Sequence, residues 1–180
     1  MTSLFLDSAG PLSATLLAVL ALAVWFDLTE QRIPNWITAG GLIVALALRA
    51  FAGPEAMAAG VFGGALGFAI GILLFAMGAM GAGDGKLLAT VGAVLGLEAF
   101  LRALPLVGAF GGLLVLAVTL RNGTLIPTLL RFRELAFYIV TFGRIGERRT
   151  LAMPGSVTVP YGVAVAAGAA TVWLGWGLTL

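Results

Sequence analysis

The sequence predicts an all-α fold: a polytopic membrane bundle of about six transmembrane helices, forming one domain over residues 1–180. Three observations carry that prediction. Hydrophobic residues make up 61% of the chain and charged residues only 10%, where a soluble globular domain carries about 25% charge. The mean hydropathy is +1.10, and the apolar residues gather in runs long enough to cross a bilayer. Glycine is also in excess, with 26 residues, and small residues let helix backbones approach closely inside a membrane.

The chain divides as follows. Residues 1–10 carry Asp7 and no Lys or Arg. A secretory signal begins with positive charge, so residues 11–26 are expected to be an uncleaved first span, with Trp25 at an interface. Residues 36–51 form the second span, with Trp36 at one interface and Arg49 snorkelling at the other. Gly53-Pro54-Glu55 is a turn. Residues 56–80 form the third span, long enough to cross with tilt. Its Gly60, Gly63, Gly64, Gly67 and Gly71 recur about once per turn and predict a tightly packed face.

Residues 87–100 are short for a span and read equally as re-entrant or buried. Residues 103–120 cross. Residues 121–158 form a long loop with six arginines, and 125–142 within it predict a helix lying in the interface, because Arg131, Arg133 and Glu134 interrupt its apolar run. Residues 159–178 form the last span. Charge asymmetry decides the short segment. If it crosses and the N-terminus lies outside, Arg32, Lys86 and the six loop arginines share the cytoplasmic side, leaving Arg49 and Arg102 opposite. That eight-to-two bias obeys the positive-inside rule. The same six-span topology brings Asp27 and Asp84 to one depth.

Those two acids are the candidate site. Asp84 lies in Gly81-Ala82-Gly83-Asp84-Gly85-Lys86, between two apolar runs, and Asp27 ends the first span. An ionisable group there is costly without a partner and reads as functional by default. Plainer roles exist. Asp84 can cap the next helix, and Asp27 can pair with Arg32. Lys86 can orient an acid or anchor at lipid headgroups, and its interfacial position favours the anchor. The glycines do not form a phosphate loop. Met80 and Leu87 occupy positions where a Walker A motif needs Gly and Ser/Thr, and Lys86 stands where a dinucleotide fingerprint needs its third Gly. With neither Cys nor His, thiol chemistry, disulfides, Cys/His zinc sites and Ser-His-Asp triads are excluded. The net charge of +2 forms no groove for nucleic acid.

Together the two stretches are more specific than either alone. The Gly-x-Gly-Asp motif followed by Lys86 resembles the intramembrane aspartic proteases. With Asp27 and Arg32-Ile33-Pro34-Asn35 upstream, the chain resembles the type IV prepilin peptidase family, including its archaeal preflagellin-peptidase relatives. Pro160-Tyr161-Gly162-Val163-Ala164 is similar to that family's C-terminal signature, so the resemblance runs from the first span to the last. It is closest to the short form serving tight-adherence (Flp) pili. Longer members carry paired cysteines and an N-methyltransferase activity in an extra region between the first spans. Here residues 27–35 alone fill that place, so the resemblance implies peptidase activity without methylation.

The resemblance further implies an integral protein of the inner membrane that removes prepilin or pseudopilin leaders at the cytoplasmic face. Its partners would be that substrate, membrane lipid and the pilus assembly machinery. Asp27 and Asp84 would be catalytic. Gly81, Gly83, Gly85, Lys86, Arg32, Pro34, Asn35, Pro160, Tyr161 and Gly162 would be motif and support. Two close carboxylates share one proton. One can activate water while the other hydrogen-bonds the scissile carbonyl, so no metal or organic cofactor is required. Paired acids also serve as proton relays. A small proton-coupled transporter or channel is therefore the rival reading, and a non-catalytic pilus-assembly scaffold is a third.

Overall fold

A computed structural model describes residues 2–126, 128–130, 133 and 160–178. Among them the fold is helical, with six main elements: α1 (Thr2–Glu30), α2 (Asn35–Ala52), α3 (Pro54–Ala76), α4 (Ala82–Leu95), α5 (Leu97–Arg121) and α6 (Tyr161–Leu178). Four segments are long and apolar enough to cross a membrane, namely Gly10–Glu30, Asn35–Ala52, Pro54–Ala76 and Leu97–Arg121. The chain is thus a helical membrane bundle. Of the interfacial helix expected over 125–142, residues 125–126, 128–130 and 133 are helical. The rest of that helix, with Arg131, and the loop beyond it to 158, with Arg144, Arg148 and Arg149, lie outside the described residues.

The architecture centres on α4. Every residue from Leu87 to Leu95 is buried, and α4 packs against each of the other five helices. The segment that was hardest to place by length is therefore the core. Fourteen residues span about 21 Å at 1.5 Å per residue, against about 30 Å of hydrocarbon. Both ends of α4 consequently rely on protein partners rather than headgroups. Its principal neighbour is α3, and the glycine-rich face explains why. A Cβ on Gly67 would run into the Leu88 carbonyl oxygen, and one on Gly63 into the Gly92 carbonyl oxygen. On Gly71 a Cβ would lie 2.6 Å from Gly85 Cα. Backbone meets backbone here, as the spacing of these glycines predicts.

The ends of α4 correct two expectations. The break before α5 falls at Gly96, not between Phe100 and Ala103. Gly96 has φ 78°, a left-handed conformation that glycine adopts without a Cβ penalty. Nor does Arg49 snorkel. Its guanidinium turns inward and donates to the carbonyls of Ala93 (2.8 Å) and Val94 (3.0 Å) on α4 and Ala56 (3.0 Å) on α3. A cation at a helix C-terminus satisfies carbonyls that have no intrahelical partner. These carbonyls are 44 and 45 positions from Arg49 in α4, so no local pattern announced them.

Short turns set the remaining order. At the end of α3, Gly78 (φ 69°) donates to Phe75, and Ala79 donates to Leu74, both at 2.9 Å. This paired closure turns the chain back toward α4. At the end of α1, Gln31 takes φ 52° and starts the short connection to α2. An edge-to-face contact between Phe26 and Trp36, with centroids 6.1 Å apart, braces that connection.

Candidate active site

A cleft of about 470 Å³ opens between the α1–α2 connection and the start of α4. Glu30 to Asn35 and Asp27 line one side, and Gly81 to Asp84 line the other. Both aspartates face this one cavity from positions far apart in the chain. They are nearly buried, with 6% of Asp27 and 8% of Asp84 exposed, and they lie within electrostatic range of one another.

Asp27 comes in on the last turn of α1. Its Oδ2 accepts a 2.8 Å hydrogen bond from the Gly162 backbone N–H, at the beginning of α6. A helix N-terminus offers unpaired N–H groups and a favourable field to an anion. Gly162 also has to be small. A Cβ there would stand 2.7 Å from Asp27 Oδ2. Asp27 makes no ion pair with Arg32 among the described residues, and Arg32 is exposed at the cleft wall.

Asp84 sits in the first turn of α4, but the N-cap position belongs to Gly81 and no side chain caps the helix. The carboxyl folds back toward Gly81, where a Cβ would be 3.1 Å from Asp84 Oδ2. Its Oδ1 is buried without a hydrogen-bond partner. Native structures rarely leave such an atom unsatisfied unless the site has a use for it. Contact with the Gly81 backbone at the helix start engages only the other oxygen, so capping leaves Oδ1 unaccounted for.

The flanking glycines divide their work. Gly81 is exposed at the cleft. Gly83 faces the opposite wall, where an added Cβ would lie 3.3 Å from Ile33 Cβ. Gly85 points away and packs on Gly71. Lys86 is exposed, and its Nζ donates to Asn35 Oδ1 at 2.8 Å, tying the start of α4 to the start of α2. Pro34 is the residue before α2 and lines the cleft. Pro160 precedes α6, and the Tyr161 side chain lies within electrostatic range of Asp84. Its ring also packs beside Gly111 on α5, where a Cβ would come within 3.0 Å of Cε1.

The cleft thus joins the two acidic motifs, and the C-terminal stretch reaches the site through the Gly162 N–H on Asp27. Sequence reasoning missed Ile33 as a wall residue and the buried Thr90, whose hydroxyl donates to the Thr38 carbonyl at 2.8 Å. Only the placement of Thr90 within the apolar stretch from Leu87 to Leu95 hinted at it.

A model of the type IV leader peptidase family matches residues 14–120, more than half of the chain and inclusive of both aspartates. The match ends before Pro160. No curated protein and no solved structure matches.

Proposed function

The chain belongs to the type IV leader peptidase family, and we propose that it is an aspartic endopeptidase cutting the leaders of Flp-type prepilins and pseudopilins. The observation that carries this reading is the shared cleft. Asp27 and Asp84, 57 positions apart by subtraction of their numbers, face one cavity and one backbone donor, Gly162.

In the proposed chemistry, the ionised member of the pair takes a proton from water, and the resulting nucleophile attacks the scissile carbonyl carbon. The protonated member donates a hydrogen bond to the carbonyl oxygen and stabilises the charge that develops there. The proton then passes to the leaving amine as the C–N bond breaks. Burial of both carboxyls strengthens each of these interactions.

The substrate would keep its apolar helix in the bilayer while its leader lies in the cytoplasm beside the cleft. The charge distribution supports that orientation. A cytoplasmic reporter fused after Arg149 should be active and a periplasmic one silent. Labelling of the 121–158 loop from outside the cell would overturn the orientation. The reaction itself is tested by incubating the purified protein with a prepilin. The leader is expected to be released at a single bond, whereas a proton relay or a scaffold would leave the substrate whole.

A further inference from the structure

Two polar ties join α2 to α4 behind the cleft, and the proposed reaction uses neither directly. At the rim, Lys86 Nζ donates to Asn35 Oδ1 at 2.8 Å. One turn deeper, Thr90 Oγ1 approaches the Thr38 carbonyl at 2.8 Å and the Lys86 carbonyl at 3.0 Å. A hydroxyl has one proton to give, and the shorter contact crosses between helices. Asn35 and Thr38 are three apart on α2, and Lys86 and Thr90 are four apart on α4. Each pair therefore occupies one helix face, so the ties form a two-rung ladder.

We infer that Thr90 and Lys86 are positioning residues whose rungs set the height of Asp84 against the α1–α2 connection, and so the alignment of the two carboxyls. This rests on the peptidase reading. Asp27 precedes that connection, Asn35 begins the helix that follows it, and α2 packs on both α1 and α4. A slide of α4 along α2 would move Asp84 past Ile33 and Asp27 together. Arg49 ties the far end of the same contact to the Ala93 and Val94 carbonyls, so these two rungs set the cleft end, where apolar surfaces in lipid have no hydrophobic penalty against shifting. A polar tie does resist a shift. Thr90 is 1% exposed, so no water competes for its bond to Thr38, and on parting it falls back on the longer contact to Lys86 within its own helix.

The test uses Thr90→Val, which keeps the shape and removes the donor, with Thr90→Ser as the rescue. In wild type, Thr90→Val and Thr90→Ser, kcat and KM for prepilin cleavage are measured at matched folded protein. A misplacement approaching 1 Å costs up to about a hundredfold, so Thr90→Val should lower kcat at least roughly tenfold with KM nearly unchanged. Thr90→Ser should restore it. Lys86→Met should act in the same direction at the exposed rung, and it carries the test if Thr90→Val fails to insert. Thr171→Val, which removes only the bond to Ala167 within α6, is the control and should cleave normally.

A second readout does not need activity. The chain contains no cysteine, so Asp27→Cys with Asp84→Cys can be joined by a short bismaleimide. Adding Thr90→Val should lower the yield of that crosslink. Wild-type cleavage and an unchanged crosslink in Thr90→Val would overturn the ladder while leaving the peptidase reading intact. A crosslink that responds to Thr90→Val in a protein that never cuts prepilin would support the ladder and refute the peptidase reading.

Discussion

The two ends of α4 handle buried polarity in opposite ways. At the C-terminal end, Arg49 gives its donors to the carbonyls of Ala56, Ala93 and Val94, and the helix stops cleanly at Gly96. At the N-terminal end, Asp84 is buried between an exposed Ala82 and an exposed Lys86, yet its Oδ1 has no partner. The same fold can therefore satisfy a buried charge when it builds for it. Asp84 is left short where a 470 Å³ cleft and a second acid adjoin it. An unsatisfied buried group costs about 1–3 kcal/mol, more when charged. On the proposed reading, the difference separates a structural end from one reserved for chemistry.

The contrast can be broken at either end. Among changes that keep both acids, the largest effect is expected at Gly162. In Gly162→Ala the new Cβ meets Asp27 Oδ2 at 2.7 Å, so the carboxyl must move off its N–H donor. Prepilin cleavage should fall about a hundredfold, with the melting temperature little changed. A smaller loss, roughly tenfold, is expected for Gly83→Leu. Its side chain would press on Ile33 across the cleft while both acids remain. Cleavage at the wild-type rate by this variant would show that the wall yields without cost. The smallest effect on chemistry belongs to Arg49→Met. It removes three hydrogen bonds from a cation, each commonly worth about 1.5–3 kcal/mol, and should lower thermal stability in detergent by several degrees. The rate per folded molecule should stay within about threefold, because the lesion is at the far end of α4.

Much of this was legible in the chain. The apolar runs announced a helical bundle, and the repeat of Gly60, Gly63, Gly64, Gly67 and Gly71 announced a packed face, because both are local periodic signals. Asp27 and Asp84 stood out because acids are expensive in apolar spans. What stayed hidden depends on partners distant in sequence. Arg49 looked like a snorkelling residue until the α4 carbonyls 44 and 45 positions away were placed beside it. The bond from Lys86 to Asn35, 51 positions away at 2.8 Å, left no local trace either. The Gly162 donor lies 135 positions from Asp27. The Gly96 break was missed because a glycine among apolar residues reads as packing, and only its positive φ marks a stop.

The central claim is that Asp27 and Asp84 act as one unit. It is tested most directly by comparing prepilin cleavage by Asp27→Asn, Asp84→Asn and the double variant at matched membrane levels. Groups that work as a unit are strongly non-additive. Each single change should abolish detectable cleavage, a loss of at least about a thousandfold, and the double variant should be no worse than either. Substantial cleavage by Asp84→Asn, with a further fall in the double variant, would contradict the account.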